Sequence, residues 1–138
     1  MVSIHKTAVI GSNVVIGNNV SIGPYAVIDD NVKIANDNII KSSVYITGNT
    51  DIGNANIFYP FCSIGSPPQD LKFKNEVTNL IIGSNNIFRE HATVNVGTKG
   101  GGGTTKVGDN SLFMIGAHIA HDCIVKNNIV MANQATIA

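Results

Sequence analysis

Large apolar residues recur at every sixth position of the chain, and this spacing constrains the fold more than any other feature. Neither an α-helix, with a period of about 3.6 residues, nor a β-strand, with a period of about 2, produces it. The repeat therefore predicts a solenoid built from one supersecondary unit. The repeat residues are Ile4, Ile10, Ile16, Ile22, Ile28, Ile34, Ile40, Ile46, Ile52, Phe58, Ile64, Ile82, Phe88, Val94, Val107, Phe113, Ile119, Val125, Met131 and Ile137.

Each hexad is predicted to be a short strand followed by a tight bend. Gly commonly follows the repeat residue, and Asn or Asp fills many of the next positions, as in Gly17, Asn18 and Asn19. Both Gly and Asn tolerate left-handed or strained backbone conformations. Three strands and three bends close one triangular coil of 18 residues. Coils stacked about 4.8 Å apart form an all-β parallel β-helix of about seven coils, with apolar columns in a dry interior.

Two insertions interrupt the repeat. A step of 18 residues follows Ile64 and a step of 13 residues follows Val94, where six is expected. Gly, Pro and polar residues are frequent in both insertions, so we predict protruding loops at residues 66–79 and 97–105. The chain as a whole, residues 1–138, is predicted to be one β-helix domain.

Both insertions are predicted to leave the same face of the prism. Counting hexads in threes places Ile64, Val94 and Ile119 in one column, one coil apart. Because loops on a rigid scaffold commonly carry binding groups, this face is the predicted location of a functional site.

His121 is the candidate general base on this face. It occupies the position equivalent to Ser66 and Val96, at which the two insertions begin. Histidine titrates near neutral pH, and an adjacent carboxylate fixes its tautomer, for which Asp122 is the candidate. A hydrogen-bonded surface histidine without catalytic function is the alternative interpretation of His121.

Two other chemistries fit parts of this segment less well. His118, His121 and His91 form a ligand set that resembles the zinc site of γ-class carbonic anhydrases, but those enzymes place the paired histidines further apart. The glycine run at residues 100–103 suggests phosphate binding, yet no Gly-Lys-Ser/Thr triplet follows it. We therefore predict no metal ligand, and a flexible loop at the glycine run.

Composition and charge exclude several function classes. Nine basic residues balance nine acidic ones, so no electrostatic field favours nucleic acid or a membrane surface. No signal peptide or membrane span is visible, and we expect a cytoplasmic protein.

Cys62 and Cys123 occupy an inward-leaning position four residues after the repeat residue, where we predict core thiols and no disulfide.

The hexads resemble those of the hexapeptide-repeat family, which implies a left-handed β-helix and assembly as a homotrimer. Within that family, the chain resembles the acyl-carrier-protein:UDP-N-acetylglucosamine O-acyltransferases of lipid A biosynthesis over its whole length. The resemblance is carried by Gln-Asp-Leu-Lys at residues 69–72, by the glycine run with Thr-Lys-Val-Gly at 105–108, and above all by Ala-His-Ile-Ala-His-Asp-Cys at 117–123.

The resemblance implies transfer of a 3-hydroxyacyl group from acyl carrier protein to the 3-hydroxyl of UDP-N-acetylglucosamine. His121 would be the general base and Asp122 would orient it. The residues expected to contact the sugar nucleotide are Gln69, Asp70, Lys72 and His118. Acyl carrier protein and UDP-N-acetylglucosamine are thus the expected partners, and neither chemical step requires a metal or another cofactor.

The sequence also departs from the family. Asn95 stands where relatives often have histidine, and Val77 stands where they have proline. Relatives are longer, with an oxyanion donor in the coil that would stack on His121, so we expect a truncated N-terminal half with weak or no activity alone. A non-catalytic trimeric solenoid remnant, or another hexapeptide acyltransferase that uses acetyl-coenzyme A, are the alternatives.

Overall fold

The computed structural model describes the whole chain, Met1–Ala138, and contains twenty short strands. They are β1 (Ser3–Ile4), β2 (Val9–Ile10), β3 (Val15–Ile16), β4 (Ser21–Ile22), β5 (Val27–Ile28), β6 (Lys33–Ile34), β7 (Ile39–Ile40), β8 (Tyr45–Ile46), β9 (Asn49–Ile52), β10 (Ile57–Phe58), β11 (Ser63–Ser66), β12 (Asn79–Ile82), β13 (Ile87–Phe88), β14 (Thr93–Asn95), β15 (Thr104–Val107), β16 (Leu112–Phe113), β17 (His118–Ile119), β18 (Ile124–Val125), β19 (Val130–Met131) and β20 (Thr136–Ile137). One 3-10 turn, Lys99–Gly101, lies between β14 and β15. No helix has the length and apolar character needed to span a membrane.

Every third strand joins the same sheet, so three parallel sheets form the sides of a triangular prism. The first sheet has the order β1-β4-β7-β10-β13-β16-β19, and the second has the order β2-β5-β8-β11-β14-β17-β20. The third has the order β18-β15-β12-β9-β6-β3. Repeat residues pair with repeat residues throughout, as Ile4 does with Ile22. The predicted all-β solenoid of about seven coils is confirmed, and its architecture is consistent with a left-handed β-helix.

The repeat residues form three inward-facing columns. In the first sheet, the buried rings of Phe58, Phe88 and Phe113 stack with centroid separations of 5.0 and 4.7 Å. Each stacked pair contributes about 0.5–1.5 kcal/mol beyond the burial of its surface. The aromatic repeat residues therefore reinforce the middle coils.

The two cysteines are free, as predicted, but only one lies deep in the core. Cys62 is buried, and desolvation raises the pKa of its thiol to about 12. Cys123 is partly buried and packs against the edge of the core.

In most regular bends the left-handed residue lies three positions after the repeat residue, where Asn is common. Asn13 and Asn31 have φ values of 56° and 67°. Gly11, directly after a repeat residue, is not left-handed. A Cβ atom on Gly11 would lie 2.6 Å from the backbone nitrogen of Asp30 in the next coil. For the glycines of the regular bends the conformational explanation was therefore wrong, because it is the close approach of the next coil that leaves no room for a side chain.

The interior is not uniformly apolar, which the sequence analysis missed. Asn38, Asn56, Asn86 and Ser111 are buried in consecutive coils at the bend from the third sheet to the first, here called the asparagine corner. Each Asn Oδ1 accepts the backbone N–H of the next residue in the series, over 2.9, 2.9 and 3.0 Å. The Nδ2 atoms donate to carbonyl oxygens of the bends. These side chains satisfy backbone groups that the bends leave without partners.

Both insertions leave the bend from the second sheet to the third, here called the histidine corner because it also contains His121. They connect β11 with β12 and β14 with β15, which confirms that they share one face. The connecting segments are residues 67–78 and 96–103. They are shorter than predicted because the flanking residues extend the strands of both sheets.

The register of the second sheet shifts where the insertions begin. Ile64 pairs with Val94, as predicted, but Ser66 then pairs with Asn95 and not with Val96. Gly65, at φ 90°, provides the left-handed backbone of this bulge. The predicted equivalence of the two insertion roots was therefore wrong by one residue.

Candidate functional site

His121 reaches the surface at the histidine corner. Strand β17 directs Ile119 into the core, and the following bend places His121 and Asp122 at the edge of the prism. The Nδ1 atom of His121 lies 2.8 Å from Oδ2 of Asp122. The imidazole is 35% exposed and the carboxylate 12%, so solvent reaches the ring much more than its partner.

Asp122 is held by the preceding coil. Its Oδ1 accepts the backbone N–H of Thr98 over 2.8 Å, and its Oδ2 accepts the Thr98 hydroxyl over 2.5 Å. Its own backbone N–H donates to Oγ1 of Thr105 over 2.8 Å. Asp122 also has the left-handed conformation of the bend, with φ 64°. Backbone and side chain are therefore both constrained.

These contacts determine the charge of the pair. Burial raises the pKa of Asp122, but hydrogen bonds from Thr98 and His121 outweigh it and hold that pKa below its ordinary value. An ionised carboxylate only accepts hydrogen bonds, so Nδ1 of His121 must carry a proton. In the neutral ring, Nε2 is then the basic nitrogen.

The glycine run is folded against this carboxylate. Thr98 caps the 3-10 turn Lys99–Gly101: its Oγ1 accepts the N–H of Gly101 over 3.1 Å, and its carbonyl oxygen accepts that of Gly103 over 2.7 Å. A Cβ atom on Gly101 would overlap Oδ2 of Asp122. The sequence predicted a loop here but not this 3-10 turn, which closes around Asp122 because Gly101 has no side chain.

A cleft of about 340 Å³ brings His121 and Asp122 together with Asp70 and Lys72 of the longer insertion. The Oδ1 atom of Asp70 accepts the backbone N–H of Lys72 over 2.9 Å, which shapes this part of the insertion. Asp70 and Lys72 thus give the cleft a carboxylate and an ammonium group, and His121 contributes an imidazole. Four of the six residues selected from the sequence border the same space.

The other two selected residues, Gln69 and His118, do not line this cleft. His118 is partly exposed on the second sheet, and its Nδ1 lies 2.7 Å from Oγ1 of Thr93 in the preceding coil. Asn95 is 6% exposed and donates through Nδ2 to the carbonyl oxygen of Ser66 over 3.3 Å. Asn95 therefore contributes to the root of the longer insertion.

Three residues of the cleft, Phe73, Glu76 and Thr98, were missed. Glu76 joins the insertions, since its carboxylate accepts the backbone N–H of Lys74 over 2.7 Å and that of Lys99 over 3.4 Å. Backbone N–H groups, its own first, lower the pKa of Glu76. Only Thr98 had a usable signal: Thr followed by a glycine-rich turn is typical of a side-chain cap.

The structure separates the histidines of the alternative metal site. His91 lies at the bend from the first sheet to the second, where its ring stacks on Phe61 at 5.3 Å and 14°. His121 lies at another corner of the prism. Within this chain, no group of three or more His, Cys, Asp or Glu side chains is placed to hold one metal ion.

Comparison with known proteins connects this geometry to a family. Residues 1–30 match the family described as bacterial transferase hexapeptide (six repeats). The chain is 57% identical, over all of its 138 residues and 53% of the relative, to the acyl-[acyl-carrier-protein]--UDP-N-acetylglucosamine O-acyltransferase of Aliarcobacter butzleri. The enzyme of the same name from Rickettsia peacockii is 53% identical over 88% of this chain and 46% of its own.

Solved structures agree with this match. LpxA from Acinetobacter baumannii superposes with a TM-score of 0.95 at 43% identity, over 96% of this chain and 52% of its own. UDP-N-acetylglucosamine acyltransferase from Campylobacter jejuni superposes with a TM-score of 0.92 at 40% identity, over 97% of this chain and 52% of its own. The chain spans about half the length of the relatives that it matches. The chain is therefore a homologue of the LpxA-type UDP-N-acetylglucosamine O-acyltransferases over about half of their length, and its first 30 residues match the hexapeptide transferase family.

Proposed function

We propose that this chain carries the general base and part of the sugar-nucleotide site of an O-acyltransferase. The reaction transfers a 3-hydroxyacyl group from acyl carrier protein to the 3-hydroxyl of UDP-N-acetylglucosamine. The observation that carries the proposal is the cleft in which His121, held by Asp122, lies together with Asp70 and Lys72. The names of the relatives supply the two substrates.

In the proposed mechanism, Nε2 of His121 accepts the proton of the sugar 3-hydroxyl as its oxygen attacks the thioester carbonyl carbon. A C–O bond forms, and the C–S bond breaks when the tetrahedral intermediate collapses. The thiolate of the carrier protein leaves and takes the proton back from the imidazolium. Asp122 keeps Nδ1 as the protonated nitrogen and stabilises the transient positive charge.

The remaining selected residues are assigned to the sugar nucleotide. The Lys72 ammonium suits the diphosphate, and the Asp70 carboxylate suits sugar hydroxyl donors. His118 and Gln69 are proposed as further contacts, for which family resemblance is the support. Both residues lie outside the cleft of the single chain. They would therefore contact the sugar nucleotide only where it extends beyond this cleft or binds between two subunits.

We also propose that the chain works as a homotrimer with acyl carrier protein as its second partner. Outward-facing apolar side chains support an association of this kind, among them Val9, Phe61, Ile124 and Val130, which are 58–70% exposed. Sedimentation equilibrium tests the assembly. A species of three chains is expected, and a monomer at all concentrations overturns this part of the proposal.

The activity is tested with the purified chain at stoichiometric concentration, radiolabelled UDP-N-acetylglucosamine and 3-hydroxyacyl carrier protein. Replacement of His121 by Ala is expected to lower product formation about 10²- to 10⁴-fold, the usual contribution of a general base. Lys41→Ala, outside the cleft, is the control and should behave like the parent.

Three outcomes contradict the proposal. Equal rates in the parent and His121→Ala exclude His121 as the base. A preference for acetyl-coenzyme A over the carrier-protein thioester assigns the site to another acyltransferase. The absence of product even at stoichiometric enzyme, a concentration at which the weak activity of a half-length chain is still measurable, favours a non-catalytic solenoid.

A further inference from the structure

Thr98 makes more contacts with the candidate catalytic pair than any residue chosen from the sequence. It is 7% exposed, and both its backbone N–H and its hydroxyl donate to the carboxylate of Asp122. The same hydroxyl accepts the N–H of Gly101. One side chain thus joins the capped turn of the glycine run to the carboxylate in the next coil.

We infer that Thr98 is a positioning residue that acts on His121 through Asp122. This inference rests on the proposed function of His121 as the base. The Thr98 hydroxyl and the His121 Nδ1–H group both bind Oδ2 of Asp122, over 2.5 and 2.8 Å. With the backbone N–H of Thr98 on Oδ1, the carboxylate is held at both oxygens.

The His121 imidazole depends on Asp122 for its orientation and its tautomer. At 35% exposure, the ring has space to rotate or change tautomer, and Asp122 is its only hydrogen-bond partner within the chain. A carboxylate free to turn would hold the proton on Nδ1 less firmly, and the Nε2–H tautomer would become more populated. A carboxylate fixed by Thr98 keeps Nε2 unprotonated and therefore basic.

Gly101 provides independent support for this arrangement. A side chain at this position would overlap the Asp122 carboxylate, whereas a Cβ atom on Gly100 would have no neighbour within 4 Å. Neither glycine has a left-handed φ. The glycine at 101 therefore serves the contact between the turn and the carboxylate, and Gly100 supplies a matched control from the same turn.

The direct test is nuclear magnetic resonance of the ring nitrogens of His121 in the full 138-residue chain, at a pH where the neutral imidazole predominates. The parent is expected to show the Nδ1–H tautomer. Thr98→Val, which keeps the shape but loses the hydroxyl, should shift the ring toward a mixture of tautomers. Thr98→Ser should restore the parent signal. Thr7→Val, which removes a hydroxyl beside His5 at another corner, should leave His121 unchanged.

Gly101→Ala should reproduce the tautomer shift of Thr98→Val, and Gly100→Ala should not. Parent-like ring signals in Thr98→Val overturn the inference. If Thr98→Val fails to fold, parent-like signals in Gly101→Ala overturn it. In the acyl-transfer assay, Thr98→Val should lower kcat about tenfold at little-changed KM for the sugar nucleotide, as expected for one lost hydrogen bond to a charged group.

The tautomer measurement also separates this inference from the proposed function. A parent chain that transfers no acyl group, yet shows a tautomer dependent on Thr98, defeats the proposed function alone. A chain whose transfer depends on His121, but whose tautomer ignores Thr98, defeats only the inference.

Discussion

The asparagine corner and the histidine corner are bends of the same prism, yet they use polar side chains in opposite ways. At the asparagine corner, Asn38, Asn56 and Asn86 are fully buried and bonded to the backbone of neighbouring coils. At the histidine corner, Asp122 has internal partners, while His121 is bonded through Nδ1 alone and remains accessible. The first arrangement satisfies polar groups, and the second leaves Nε2 of the imidazole without a hydrogen-bond partner in the chain.

The insertions explain this difference. Without insertions, side chains of successive bends stack directly, and a polar residue finds its partner one coil away. At the histidine corner, residues 67–78 and 96–103 are inserted between the strands of the second and third sheets. The interrupted stacking opens a cleft between coils, and Thr98 replaces the regular neighbour as the partner of Asp122.

The largest effect on stability is expected at the asparagine corner. Asn56→Ala removes the acceptor for the Asn86 N–H and leaves Oδ1 of Asn38 and two carbonyl oxygens short of donors inside the protein. The free energy of unfolding should fall by about 2–4 kcal/mol in urea titrations. Asn54→Ala, an exposed change in the same bend, should cost less than about 1 kcal/mol. Equal costs for the two variants would refute the structural importance of the buried hydrogen bonds at the asparagine corner.

A smaller, pH-dependent effect is expected at the histidine corner. Because folding lowers the pKa of Asp122, this group stabilises the protein above its unfolded pKa of about 3.9. That contribution is lost as the pH falls through the lower, folded value. When the free energy of unfolding is measured from neutral to strongly acidic pH, it should therefore fall more steeply in the parent than in Asp122→Asn.

Asp37→Asn is the matched control for this pH dependence. Asp37 has the same left-handed bend conformation as Asp122, with φ 61°, but lies exposed at the asparagine corner. In Asp37→Asn, the free energy of unfolding should fall with decreasing pH almost as steeply as in the parent. If Asp122→Asn and the parent lose stability in parallel, the carboxylate is not held as its contacts indicate.

The smallest stability effect is expected for His121→Ala. The ring is partly exposed, and Asp122 keeps both hydrogen bonds from Thr98 when the ring is removed. Urea titration should give a change within about 0.5 kcal/mol, despite the large loss expected in acyl transfer. A loss comparable with that of Asn56→Ala would assign His121 a structural function.

Much of the fold was predictable because the repeat determines it locally. A repeat of one apolar residue every six positions sets the strands, the columns, the shared face of the insertions and the pairing of Ile119 with Val94. The family motif at residues 117–123 also selected His121 and Asp122 as a pair, which the structure places 2.8 Å apart. Asp70 and Lys72 were placed on the correct face because the count of hexads is preserved across the insertion.

The hexad repeat therefore suffices to predict the architecture, since hydrophobic period and strand spacing act at every coil alike. The pairs of side chains that meet between coils are visible in the folded prism alone. Thr98 reaches Asp122 across 24 residues, and three hydrogen bonds of the asparagine corner link four successive bends. Such contacts depend on the conformation of the insertions and on the distance between neighbouring bends. Those distances are set by the packing of the assembled prism, because no local pattern encodes them.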